Sequence, residues 1–179
     1  MRTTIIAAAL LLAAPLAFAS SLDKVRQLAT EDLAALGREP VIVAAVKEQN
    51  ALSRSLSEIK EMDTRWQSTA GVADFMRALI DSPAGRHLGE WKRTRPFVSE
   101  VFVMDNQGAN VAQTDKTSDY WQGDEPKFTE CVRTGRIHLG PMDFDESTQT
   151  YSIQVSVPVK DGDALIGAIC IGVDVEQIN

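Results

Sequence analysis

The sequence predicts an α+β domain with a helical N-terminal half and a five-stranded antiparallel sheet, the longest helix covering one sheet face. Three observations carry this. Apolar residues recur at helical spacing from Leu22 to Trp66. After Pro96 the period switches to two, and five strand-like runs follow. Tight turns join most of these runs, which leaves no length for parallel crossovers.

The chain opens with Arg2, an apolar Ala/Leu-rich run over Ile5 to Leu16, and the small-x-small triplet Ala17-Phe18-Ala19. This pattern reads as a secretory signal peptide with a cut after Ala19, too short and alanine-rich for a comfortable membrane span. The alternative is a retained N-terminal anchor. Residues 20–179 then form one domain, with a helical region over 20–97 and a sheet region over 98–179. Leu22, Val25, Leu28, Ala29, Leu33 and Leu36 share one helical face, with Ser21 as N-cap. Gly37 and Pro40 interrupt that helix, and Pro40 suits the first turn of the next. The spacing predicts one long helix over 40–66, a short helix over 72–80 and a third piece over 84–94.

Val98 to Asp105 reads as a strand, Asn106-Gln107-Gly108 as a hairpin turn, and Ala109 to Thr114 as the returning strand. Glu125 to Thr134 is a short helix opened by Pro126 and closed by Gly135. Ile137 to Phe144 is a third strand, with Pro141 pushing it toward an edge or bulge. In Tyr151 to Val159, Ile153, Val155 and Val157 face one way and Ser152, Gln154 and Ser156 the other. That polar stripe either meets solvent or lies under a roof of loops, where it would supply hydrogen bonds. Leu165 to Val173 is apolar on both faces and belongs at the centre of a sheet covered twice.

The 179 residues suffice for one real core, and the net charge is −7. An acidic exported product is a poor match for nucleic acid or an anionic membrane face. With no second hydrophobic run after the first, a separate partner is expected to read the domain's state. Cys131 and Cys170 lie in different predicted elements, so a disulfide and two buried thiols both stay open. No glycine-rich phosphate loop, GxSxG or HExxH motif occurs, and the expectation is no enzyme, no cofactor and no metal. Asp143, Asp145 and Glu146 lack Ca²⁺-loop spacing and read as a solvated acidic turn. His87 and His138 stand alone in sequence, while Trp66 and Trp91 read as packing residues on helices.

The stretch after the second strand stands out. It gathers Asp119, Tyr120, Trp121, Asp124 and Glu125 in a loop at the end of a hairpin. Aromatic rings beside carboxylates make a wall for a small polar or cationic ligand. The competing reading makes Tyr120 and Trp121 loop anchors, and Asp119 and Asp124 turn caps.

Five segments resemble the extracytoplasmic Cache (PDC, PAS-like) sensor domains, single-Cache type: PVIVAAVKEQNA (40–51), MDTRW (62–66), VFVMDNQGANVAQTDKTSDYWQGDE (101–125), FDEST (144–148) and QVSVPVKDGDALIGAICIGVDV (154–175). The resemblance implies a PAS-like sheet backed by a long helix, with a pocket between the sheet and the loops after the second strand. It implies a small-metabolite ligand of the amine, amino-acid or carboxylate class, and a membrane receptor or sensor kinase as partner. Asp174 matches the family's aspartate that meets a ligand amine. The arginine that clamps an amino-acid carboxylate has no counterpart here, where Thr117, Ser118 and Asp119 precede Tyr120. The expected ligand-binding residues are Tyr120, Trp121, Asp124, Asp119, Gln154, Ser152 and Asp174. The expected function is exported small-molecule sensing in chemotaxis-type signalling from the periplasm. The alternative is a ligand-free interaction protein that docks on a receptor or forms a homodimer through its long helix.

Overall fold

The computed structural model describes residues 10–145 and 150–178, and for 10–20 and 145 the backbone alone. Six α-helices precede or interrupt five strands among these residues: α1 (Leu10–Glu31), α2 (Pro40–Ala51), α3 (Leu56–Ser68), α4 (Asp74–Ile80), α5 (Pro83–Arg93), β1 (Val98–Met104), β2 (Asn110–Gln113), α6 (Pro126–Thr134), β3 (His138–Asp145), β4 (Thr150–Asp161) and β5 (Ala164–Asp174). A 3₁₀ helix, Leu33–Arg38, links α1 to α2. Helix α1 runs without interruption through Ala19, and residues 1–9 of the expected signal peptide lie outside the described residues. No helix among the described residues is long and apolar enough to cross a membrane.

The predicted helix over 40–66 is two helices. Ser53 adopts a left-handed φ of 49° between them. The cause sits in Ser55-x-x-Glu58. The Ser55 hydroxyl accepts the Glu58 N–H, and the Glu58 carboxylate accepts the Ser55 N–H at 2.7 Å. This reciprocal capping box starts a new helix, and such a cap contributes about 1 kcal/mol.

The sheet order is β2-β1-β5-β4-β3, with every neighbouring pair antiparallel. One face is apolar. Val101, Val103, Ile153, Val155, Val157, Ile169 and Ile171 lie there beneath α1, the 3₁₀ helix, α2 and α5, against Val25, Ala29, Leu33, Leu36 and Ile42. Each such side chain contributes about 1.5–3 kcal/mol of burial free energy, which fixes the strand register. Contact here is close: a Cβ on Gly37 would stand 2.3 Å from the Pro158 carbonyl oxygen. Arg95 ties α1 to the sheet region through a forked pair with Asp32, at 2.8 and 2.7 Å, which holds the Asp32 carboxyl below its ordinary range.

The other face carries α6. Phe128 and Cys131 of α6 pack on Phe102, Met104, Ala168 and Cys170. Cys131 and Cys170 carry free thiols. Burial pushes Cys131 up to about 12 and raises Cys170 as well.

Candidate functional site

The loop from Thr117 to Asp124 is fastened to α3. The Trp66 indole N–H donates to the Thr117 carbonyl at 2.8 Å. Asp63 Oδ1 accepts the backbone N–H of both Tyr120, at 2.8 Å, and Trp121, at 3.0 Å. Tyr120 is 3% exposed and packs among Ile59, Trp66 and Met76. Its hydroxyl accepts from Gln49 and Arg54, and burial raises its pKa. Tyr120 is therefore a core anchor in this fold. Trp121 is partly buried; its indole N–H donates to the Gln107 carbonyl at 2.8 Å, and the Lys60 ammonium lies 4.6 Å from its ring centroid.

Trp121, Asp119 and Asp124 do come together. They line an outer cleft of about 580 Å³ between α3 and the loop, with Lys60, Asp63 and Gln67 opposite. Asp119 is engaged within it, accepting from Gln67 at 2.6 Å and from Ser118 at 2.5 Å. Asp124 is exposed. Ser152, Gln154 and Asp174 are not in this cleft; they lie on the sheet face that carries α6. Asp174 Oδ1 accepts the Glu176 N–H at 2.9 Å, a turn-capping bond.

The strand register lays out that inner face. One row crosses the whole sheet as His138, Ser156, Cys170, Phe102 and Gln113. The next row holds Gln154, Gly172 and Glu100. The Glu100 side chain lies across Gly172, where a Cβ would come within 3.0 Å of Glu100 Cγ. There the Gln154 amide lies near enough to favour its charged form. Burial lifts its carboxyl above the ordinary glutamate range, opposed by the Lys127 ammonium. Lys127, on α6, is 12% exposed at its side chain, pairs with Glu125 at 2.9 Å and lies 5.5 Å from the Phe102 ring centroid.

At the β2 edge of this face sits a buried amide cluster. Asn110 Nδ2 donates to Thr117 Oγ1 at 2.8 Å and to the Asp119 carbonyl at 3.2 Å, and Gln122 Nε2 donates to the same carbonyl at 2.8 Å. Asn110, Gln113, Gln122 and Ser156 are at most 1% exposed. Yet Asn110 Oδ1, Gln113 Nε2, Gln122 Oε1 and Ser156 Oγ have no hydrogen-bond partner. Each unmet atom costs about 1–3 kcal/mol, so three on the sheet, on Asn110, Gln113 and Ser156, and one on the loop that follows β2, on Gln122, need an explanation.

Sequence reasoning singled out the Ser152–Gln154–Ser156 stripe. It passed over Glu100, Lys127, Asn110, Gln113, Gln122 and Asp63. Asn110 and Gln113 had a legible signal, two amides in a four-residue strand whose partner strand is apolar.

Among the described residues, no group of three His, Cys, Asp or Glu side chains is arranged to hold a metal ion. The side chain of Asp145 and residues 146–149, which include Glu146 and the end of the FDEST segment, lie outside the described residues.

No family model matches the chain, and no curated protein matches it. The solved sensor domain of the V. cholerae histidine kinase DctB aligns over 92% of this chain and 53% of its own, at 14% identity and a TM-score of 0.51. The chain shares the fold of that sensor domain. It spans about half the length of the DctB domain. The sensory domain of the Campylobacter jejuni chemoreceptor Tlp3 aligns over 92% of this chain and 66% of its own, at 15% identity and a TM-score of 0.45. The ligand-binding domain of the Pseudomonas aeruginosa PAO1 chemoreceptor PctC, solved with GABA, aligns over 82% and 60%, at 12% identity and a TM-score of 0.40. In this fold the helix-covered face is apolar, and the α6 face carries the unmatched polar atoms of Asn110, Gln113 and Ser156.

Proposed function

We propose that this chain is an exported sensing domain that binds a small polar molecule between the inner sheet face and α6, and acts by binding rather than turnover. The carrying observation is the set of four buried atoms without partners, on Asn110, Gln113, Gln122 and Ser156. A ligand that meets them recovers a cost the folded protein otherwise bears. Gln154 and Ser152 belong to this site as floor residues, with Asp174 at its rim. Trp121, Asp119, Asp124 and the buried Tyr120 then act as the fastened wall of the lid. The loop is held by Asp63 on α3, and α3 follows α2 on the opposite face, so ordering the lid biases the helices that a membrane receptor or sensor kinase would read. Export by the N-terminal segment, a periplasmic setting and a homodimer through the N-terminal helices belong to the same reading.

A thermal-shift screen of the full chain against a pool of small polar metabolites tests it. A hit is expected to raise the Tm of the wild type and to lose most of that effect in Gln113→Leu/Ser156→Ala, which removes two of the unmatched groups. A hit whose effect persists in this variant, and disappears in Trp121→Ala, would move the site to the outer cleft.

A further inference from the structure

A second surface stands unexplained, at the end of the sheet where β4 turns into β5. Two clefts meet there and share Arg38 and Lys160. One, of about 430 Å³, lies between the 3₁₀ helix, β4 and the exit of α6, and adds Arg136. The other, of about 570 Å³, lies between the start of α2 and the β4–β5 turn, and adds Lys47. Together they form one groove with four cations along it.

The charges in this groove are not balanced. No carboxylate lines the smaller cleft, although acidic residues outnumber basic ones by 25 to 18 in this chain. Arg26, Lys92, Arg95, Lys127 and Arg133 each have a carboxylate partner. Arg38, Arg136 and Lys160 form no ion pair among the described residues. In the larger cleft Lys47 is paired with Asp161 at 2.5 Å, and Glu48 is exposed. Arg38 Nη1 donates to the Gly162 carbonyl at 3.1 Å, which holds the guanidinium over the turn and leaves most of its donor fork unused. Like charges gathered without a countercharge repel one another, and a partner of opposite sign relieves that repulsion on binding.

Between the cations the lining is apolar, with Ile137, Val157 and Pro158 in one cleft and Pro40 and Val43 in the other. A small inorganic anion has no use for such a floor. The wall formed by the 3₁₀ helix is set hard against β4 at Gly37, so the groove is preformed.

We infer that this groove is a docking surface for a short acidic segment of a partner protein, one that carries apolar side chains among its carboxylates. The apolar side chains enter the floor. The carboxylates meet Arg38, Arg136 and Lys160 in charge-assisted hydrogen bonds, for which a guanidinium fork is well shaped. The net charge of −7 repels an extended polyanion such as nucleic acid beyond contact range, which leaves a short segment as the occupant. Gly135 to Ile137, the exit of α6, forms part of the wall, so a seated segment touches the helix that covers the inner sheet face. The surface is argued from its own lining and does not depend on where a small molecule binds.

The test titrates the full chain with the synthetic peptide Leu-Glu-Leu-Glu-Leu-Glu at constant ionic strength, with amide chemical shifts reading affinity and place. Leu-Gln-Leu-Gln-Leu-Gln, Gly-Glu-Gly-Glu-Gly-Glu and inorganic phosphate are the comparison probes. The first peptide is expected to move the amide signals of Arg38, Ile137 and Lys160, and to bind about tenfold more tightly than either comparison peptide. Arg38→Gln/Lys160→Gln is expected to weaken it about tenfold, since each exposed pair contributes about threefold. Arg133→Gln, whose cation is already paired with Glu130, is expected to bind it unchanged. Equal binding of the Leu-Gln peptide would overturn the charge complementarity. Equal movement of the same signals by phosphate would make the groove an anion site instead of a docking surface. Sedimentation that shows a dimer of the chain, lost in Arg38→Gln/Lys160→Gln, would make the occupant a second copy and overturn the partner. Silence of those signals with every probe would end the inference.

Discussion

Asp63→Ala is expected to release the loop that roofs the site. Asp63 Oδ1 accepts two backbone N–H groups, from Tyr120 at 2.8 Å and Trp121 at 3.0 Å. A hydrogen bond to a charged acceptor contributes about 1.5–3 kcal/mol. Asp63 is partly exposed, so the lower end applies to each bond, and the loss should be about 3 kcal/mol. For a domain of this size that is a fall in Tm of about 6–12 °C. Asp63→Asn keeps a neutral acceptor in place and should cost about half as much. Urea denaturation gives the free energies, and hydrogen exchange gives the location. The Tyr120 and Trp121 amides should exchange faster in Asp63→Ala, while amides in β4 and β5 keep their protection relative to global stability. A loss below about 1 kcal/mol, within the ordinary range for an arbitrary substitution, would mean that Asp63 does not hold the loop. So would unchanged protection at those two amides.

Three further outcomes follow from the packing. Gly172→Ala places a Cβ 2.4 Å from Ser99 Oγ and 3.0 Å from Glu100 Cγ, and should destabilise by about 1–3 kcal/mol in urea titration; full stability would mean that Glu100 does not need its path across the sheet. Burial raises the Glu100 carboxyl, so the native state holds its proton more firmly than the unfolded chain does, and ionisation penalises the fold. The stability of wild type relative to Glu100→Gln should therefore fall as pH rises from about 4.3, the ordinary glutamate value, through the raised folded value, and then level off; a gap that widens in favour of wild type with rising pH would contradict this. Cys131, pushed up to about 12, and the more deeply buried Cys170 should not react with a thiol reagent at pH 8 until the protein unfolds; rapid labelling of either in native buffer would show that α6 opens readily.

The strands were legible because alternation and burial coincide: Ile153, Val155 and Val157 all lie in the helix-covered core. The stripe opposite them was legible as polar, but its surroundings were not, because only the placement of α6 decides between roof and solvent. The break between α2 and α3 had a local signature in Ser55-x-x-Glu58, overlooked because the apolar spacing continues across it. Tyr120 and Trp121 are adjacent in sequence yet meet different surroundings. Asp63 grips both backbones while one ring enters the core and the other lines the outer cleft. No pattern within the loop carries that distinction, since it depends on an α3 residue more than fifty positions away. Glu100 was hidden for a similar reason. It reads as a polar residue at the start of a strand, and only the register with Gly172 and Gln154 brings it over the sheet.

The most direct test of the central claim is a crystal structure of the protein with the small molecule that most raises its Tm. Ligand density is expected beneath α6, within about 3 Å of at least two of Asn110 Oδ1, Gln113 Nε2, Gln122 Oε1 and Ser156 Oγ. Density in the outer cleft against Trp121, with those four atoms left as they are, would contradict it.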